Sequence, residues 1–476
     1  MSLKIKLLVI AFGVMLLSQN AFAQKNSDDT YASNNKRLNQ YLAQSQRKFG
    51  SKRILSNGEK NKLAIIATEL ENRRLSIRDS IPLDIEESKA HILKINAFFV
   101  YSGDIVGVRQ SSLLSPYYLG LGAIQFTAKT DENKLWKNGA FSLFIANNHG
   151  DNPTASKVGD IQVFDNLEAP EVSNFKLGNK INIPYRTFFY EFYYQHIINK
   201  FRILIGQSDL NYDFAYTNYG ANFLNSSFGI SPEVSVNVPT FSTYPFNAFG
   251  IRADYQMGDY FVRGAIVSGN PGNHVSNKYS FNYNFNENDG LFYIAELEKE
   301  KMFGEDIFLS NYRIGAWYHT GKFNYLTDTT GSLTHKGDFG AYIMGEKLVF
   351  SETADKTQGL GVFANAGFTP GDYNFISAYI GGGLCYTGLI PKRNSDILSL
   401  GIANPILNTS LKKVDKTYTS IEEAIELNYN YIISDNFNIM PCIQYLPNPG
   451  FHNNNNNPLI FMVRMSFRNG MLYNNR

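Results

Sequence analysis

Between residues 92 and 467 the chain is written in short segments that alternate apolar with polar or small residues. Residues 140–146 (AFSLFIA) put Phe141, Leu143 and Ile145 on one face. Residues 248–255 (AFGIRADY) put Phe249, Ile251, Ala253 and Tyr255 on one face and Gly250, Arg252 and Asp254 on the other. Residues 459–467 (LIFMVRMSF) set Leu459, Phe461, Val463, Met465 and Phe467 against Arg464 and Ser466. A period of two is the mark of a β-strand with two unlike faces. Gly, Asn, Asp and Pro clusters separate the segments, as turns require. A soluble sandwich alternates in the same way, so the pattern predicts an all-β chain and leaves its surroundings open.

Composition narrows the surroundings. Tyr and Phe number 30 and 36, while Trp numbers 2. No stretch beyond the first residues nears the ~18 consecutive apolar residues of a membrane-spanning helix. Many rings without long apolar runs suit strands with lipid on one face and water on the other. The N-terminus fits export: Lys4 and Lys6 precede an apolar run over 7–17 and the small-x-small site Ala21-Phe22-Ala23. Such a segment is a secretory signal, with cleavage expected after Ala23. Residues 24–91 are charged and poor in aromatics, with Leu63, Ile66, Leu70 and Ile77 at helical spacing. They predict one amphipathic helix in a loose polar segment.

Size follows from counting. A transmembrane hairpin of two strands and its connections takes ~45 residues, so residues 92–467 hold about eight hairpins, or about 16 strands. The predicted fold is a transmembrane antiparallel β-barrel with a short helical or disordered N-terminal segment and a C-terminal tail over 468–476. A barrel of this size is wide enough for an aqueous channel.

Strand parity then assigns the lumen. If the apolar faces meet lipid, Glu191, Arg202, Arg252, Asp254, Glu296, Arg313, Glu426 and Arg464 face inward, with Arg263 beside them. Facing lipid near the midplane, each Arg would cost ~2–4 kcal/mol. A lining of both signs filters simple ions poorly and offers donors and acceptors to a neutral polyhydroxy solute. Tyr193, on the parity of Glu191, could stack on a sugar's apolar face. These charges could equally be ladders that brace the wall.

Other chemistry leaves little trace. Cys385 and Cys442 are too few for a disulfide framework, and whether they pair is left open. The histidines, among them His149, His196 and His319, lack metal-ligand spacing, and no phosphate loop or metalloprotease motif occurs. Net charge is +2, and no basic run points to nucleic acid. No cofactor is expected.

The order of several blocks resembles the carbohydrate-selective porin (OprB) family. Residues 97–107 (AFFVYSGDIVG) are similar to its first strand. His149 to Pro153 with 158–169 (VGDIQVFDNLEA), Tyr190-Glu191, 202–210, 224–232 (LNSSFGISP), Tyr244-Pro245, 312–323 (YRIGAWYHTGKF), 359–367, 379–390 and 426–450 follow in family order. The chain departs from the family pattern at Asn365, where Arg is usual, and at Cys442, where an acid is usual. Its strand-terminal Phe467 is followed by further residues, and the family's Gly-Asp-Trp-Gly opening is not seen.

The resemblance implies a sixteen-stranded diffusion porin of the Gram-negative outer membrane, delivered by the barrel assembly machinery and acting as a monomer or homotrimer. Small sugars are its implied solutes, and Glu191, Arg202 and Asp209 line or brace its constriction. The run 205–232 then ends a strand at Asp209 and opens a long loop, with Asn225, Ser226 and Ser227 at a tight turn. Two other readings stay open: a general small-solute porin, and a non-channel barrel. The latter would be a structural anchor or a hydrolase, for which Ser227 and His149 are the conceivable nucleophile and base.

Overall fold

The computed structural model describes residues 93–474, except 111–112, 131–137, 169–170, 173–179, 182–185, 240, 273–276, 282, 284–288, 304–306, 329, 355 and 454–456. The expected signal segment and amphipathic helix lie outside the described residues. In chain order the strands are β1 (Leu93–Gln110), β2 (Leu113–Thr130), β3 (Gly139–Gly150), β4 (Glu171–Val172), β5 (Lys180–Ile181), β6 (Arg186–Ile198), β7 (Phe201–Gln207), β8 (Phe249–Met257) and β9 (Tyr260–Ser268). They continue with β10 (Leu291–Phe303), β11 (Ile307–Asn324), β12 (Thr334–Ser351), β13 (Gly359–Phe368), β14 (Ile376–Thr387), β15 (Ile397–Leu407), β16 (Ala424–Ser434), β17 (Phe437–Tyr445) and β18 (Leu459–Asn474). All but β4 and β5 close into one antiparallel barrel of sixteen strands, in which β1 pairs with both β2 and β18. β4 and β5 pair only with each other.

The alternation read from the sequence is the alternation of the wall. Ile105, Ile251, Ile314, Ile343, Phe368, Ile380, Leu400 and Phe461 point outward and are exposed. So continuous an apolar outer surface has no place in water and suits a bilayer. Closure also corrects one boundary. The last strand does not stop at Phe467: Arg468 pairs with Val100, Asn469 with Phe99, and pairing continues to Asn474 opposite Lys94. The start of β1 offers an open edge there, and residues 468–474 take its hydrogen bonds instead of trailing as a tail.

Antiparallel order sends the connections to two ends. Residues 199–200, 258–259 and 435–436 make tight turns at one end, where both termini of the barrel also lie. Residues 151–185, 208–248, 269–290 and 408–423 connect strands at the other end. The connection 208–248 turns into the barrel. Its exit leaves a notch, because short β7 pairs only with Phe192–Ile198 of β6. Residues of the β9–β10 connection fill that edge: Phe189 N donates to Tyr279 O at 3.0 Å, and Arg186 Nη1 donates to Lys278 O at 3.2 Å.

The inward connection is held by packing. Phe223 and Phe228, with ring centroids 4.3 Å apart, lie on the wall at Gly401. A Cβ there would sit 2.6 Å from the Phe223 ring, so only glycine lets the two rings reach the wall. Phe363 closes the cluster at 5.5 Å from Phe223.

Candidate pore constriction

The inward loop 208–248 makes many backbone N–H groups that no sheet can satisfy. Wall carboxylates take them instead. Glu191 on β6 accepts from Asp209 N at 2.8 Å. Glu296 on β10 accepts from Ala215 N at 2.9 Å. Glu346 on β12 accepts from Asn218 N at 3.0 Å and Tyr219 N at 2.9 Å. Glu426 on β16 accepts from Leu224 N at 2.8 Å and Asn225 N at 2.9 Å. The loop is thereby led from β7 along the wall to β16 and pinned at each stage. Such bonds to a charged acceptor are about twice as strong as neutral ones, and each removes a buried orphan donor.

A second connection meets the first. Ile161 N and Gln162 N donate to Glu422. Asn166 N donates to Leu224 O at 2.8 Å, and Ser226 N donates to Val163 O at 3.0 Å, so the two connections are joined backbone to backbone. Asn225 Oδ1 accepts from Ser227 N at 3.0 Å and starts the helical turn Ser226–Gly229, the tight turn expected there.

The wall charges form a ladder. Arg202, Asp254, Arg263 and Glu296 stand directly opposite one another across β7, β8, β9 and β10. Arg202 Nε lies 2.8 Å from Asp254, and Arg263 lies 3.3 Å from Asp254 and 3.2 Å from Glu296. Arg313 extends the row, 2.8 Å from Glu296 and 2.9 Å from Glu298. From the loop, Asp213 binds Arg252 at 2.7 Å and Arg202 at 3.1 Å. Across the barrel Arg464 holds Asp104 at 2.6 Å and Asp165 at 2.8 Å, and its Nη1 donates to Asn166 Oδ1 at 2.7 Å.

All ten residues singled out by parity and resemblance point inward and are largely buried, but they do not form one open site. Arg202, Arg252, Asp254, Glu296 and Arg313 share the ladder. Glu191 stands beside Asp209, whose carboxylate accepts from Tyr190 OH and from Asn211 N at 2.7 Å. Burial pushes the Asp209 carboxyl up to about 6, and those hydrogen bonds limit the rise. Glu426 and Arg464 belong to other strands, β16 and β18. Tyr193 is turned inward with its ring covered. Sequence reasoning missed Asp104, Glu298 and Glu346, although each has the inward parity of its strand. It also missed Asp165 and Asp213, which lie in connections without a period to read.

Two open questions close on geometry. Cys385 and Cys442 are both buried and form no disulfide with each other. His149 lies on the outward face of β3, bonded to Tyr101 OH at 3.2 Å and Asn147 at 3.0 Å, whereas Ser227 is buried in the inward loop. The two do not meet, so no nucleophile–base pair exists there.

The barrel has known counterparts. The family model described as "Carbohydrate-selective porin, OprB family" matches residues 118–468. The chain belongs to this family. Porin B of Pseudomonas aeruginosa is 22% identical over 278 residues, which are 52% of this chain and 61% of that protein. The match therefore spans less than two thirds of that relative's length. A structure of Pseudomonas putida OprB at high pH superposes with a TM-score of 0.67 at 18% identity, covering 79% of this chain and 94% of the other. At that identity the likeness is one of fold: a closed porin barrel.

Proposed function

We propose that this chain is an outer-membrane pore through which small neutral carbohydrates diffuse passively, narrowed by the inward loop 208–248. One observation carries the reading: Arg202, Arg252, Arg263, Arg313 and Arg464 are each paired with carboxylates, and uncharged polar side chains line other parts of the inward face. There Ser102 faces Ser466 at 2.9 Å, Gln125 Nε2 donates to Ser142 Oγ at 2.9 Å, and Asn438 Nδ2 donates to Asn430 Oδ1 at 2.7 Å. Hydroxyls and amides offer donors and acceptors to a sugar without drawing ions of one sign. Arg202 and Arg464 keep side-chain exposures of 16% and 10%. They are placed to touch a passing solute, and the more deeply buried Glu191, Glu296, Glu346 and Glu426 hold the loop. The setting is the Gram-negative outer membrane, reached by export and insertion through the barrel assembly machinery.

Purified protein in a planar bilayer should conduct, glucose should reduce the current, and deleting residues 219–229 should enlarge conductance and weaken the block. Liposome swelling with sugars, amino acids and anions separates a sugar pore from a general one. Failure to form channels under several lipid and salt conditions overturns the proposal. Unchanged conductance after the deletion moves the constriction elsewhere.

A further inference from the structure

The inward loop carries one acid that no wall residue compensates. Glu233 lies in the helical turn Pro232–Ser235 and is wholly buried. Its Oε1 accepts from Ser231 Oγ at 2.7 Å, and its Oε2 has no hydrogen-bond partner. The other loop-facing acids named above hold backbone N–H groups or guanidiniums, but among the described residues no Lys or Arg pairs with Glu233. The carboxyl rests on Gly367 of β13, where a Cβ would come 1.7 Å from Oε1. From β14 the facing titratable group is the Tyr379 phenol, which donates to Ser227 O at 2.9 Å. The segment is tied to the same wall by Asn237, whose Nδ2 donates to Ile376 O at 2.7 Å and Thr369 Oγ1 at 2.9 Å.

We propose that Glu233 is a proton-dependent latch: protonated, it seats on Gly367 and docks the 230–238 segment against β13 and β14, and deprotonated, it releases that segment and widens the passage. The proposal rests on the reading that this loop narrows a pore. A bare carboxylate in this seat would lack a cation and a donor for Oε2, and burying such an anion is far costlier than burying the neutral acid. Burial accordingly raises the Glu233 carboxyl to about 7 from its ordinary 4.5. The sign follows from linkage. The docked form holds its proton to higher pH than the released form, so docking is strongest in acid. It weakens about tenfold per pH unit between those two values and no further above them.

The test is single-channel conductance of the full chain in KCl, from pH 4.5 to 8.5. Wild type should rise in conductance across that interval. Glu233→Gln, neutral and nearly isosteric, should stay at the acid level throughout. Gly367→Ala, with its seat filled, should stay at the high level. A Glu233→Gln variant that keeps the wild-type pH profile overturns the latch. So does a pH-independent wild type whose conductance still grows when residues 219–229 are deleted. A deletion without effect instead overturns the constriction itself.

Discussion

Asp104 on the first barrel strand and Arg464 on the last stand directly opposite each other at the seam where the barrel closes. Arg464 Nε donates to Asp104 Oδ1 at 2.9 Å, and Nη2 donates to Oδ2 at 2.6 Å, a two-pronged pair joining residues far apart in sequence. Arg464 also binds Asp165 and Asn166, so one guanidinium staples the seam to the inward connections.

Breaking that staple has a predictable cost. Asp104→Ala leaves a buried guanidinium with Asp165 as its remaining acid, and loss of one partner of a buried pair costs about 3–5 kcal/mol. Urea unfolding in detergent, followed by the gel mobility of the closed barrel, should show the loss. A midpoint equal to wild type would show that the pair does not hold the seam.

Asp213 supplies the ladder's fourth acid. Asp213→Asn leaves Arg202 and Arg252 without the loop's counter-charge and makes that stretch of lumen net positive. The reversal potential in a KCl gradient should shift toward anion preference. No shift would mean that these charges are screened from the conducting path.

Glu346 holds two consecutive N–H groups of the loop. Glu346→Ala removes the charged acceptor of both bonds, each worth about 1.5–3 kcal/mol. The segment around Tyr219 should loosen, and single-channel recordings should show larger and noisier conductance. Recordings as steady as wild type would assign the pinning to the packed rings at Gly401 instead.

The outward face admits a control. Ile343 lies mid-strand on β12 and is exposed. Ile343→Arg should destabilise the barrel in lipid by about 2–4 kcal/mol, the cost of a cation near the bilayer midplane. Equal stability in vesicles would place this sector outside the bilayer.

How much was legible before folding depends on where a residue sits. Along the strands, parity was enough. Arg252, Asp254 and Arg464 read as inward because their neighbours read as lipid-facing, and closure of the barrel keeps every strand to that rule. The same rule would have named Glu346 and Asp104. Tyr193 was placed on the correct side, but its covered ring could not be read, because covering depends on what packs above it. The proposed tail failed for a related reason: the partner that draws residues 468–474 into a strand lies at the other end of the chain.

The sequence by itself determined the architecture: a closed all-β barrel of sixteen strands, apolar outside and polar inside, with its family membership. A period of two is local, and each strand declares its own faces. Only the tertiary structure decided what the polar face does. Which acid meets which guanidinium, and which connection turns inward to be gripped by Glu191, Glu296, Glu346 and Glu426, depend on strands brought together by closure. Those contacts span residue separations over which no local pattern carries information.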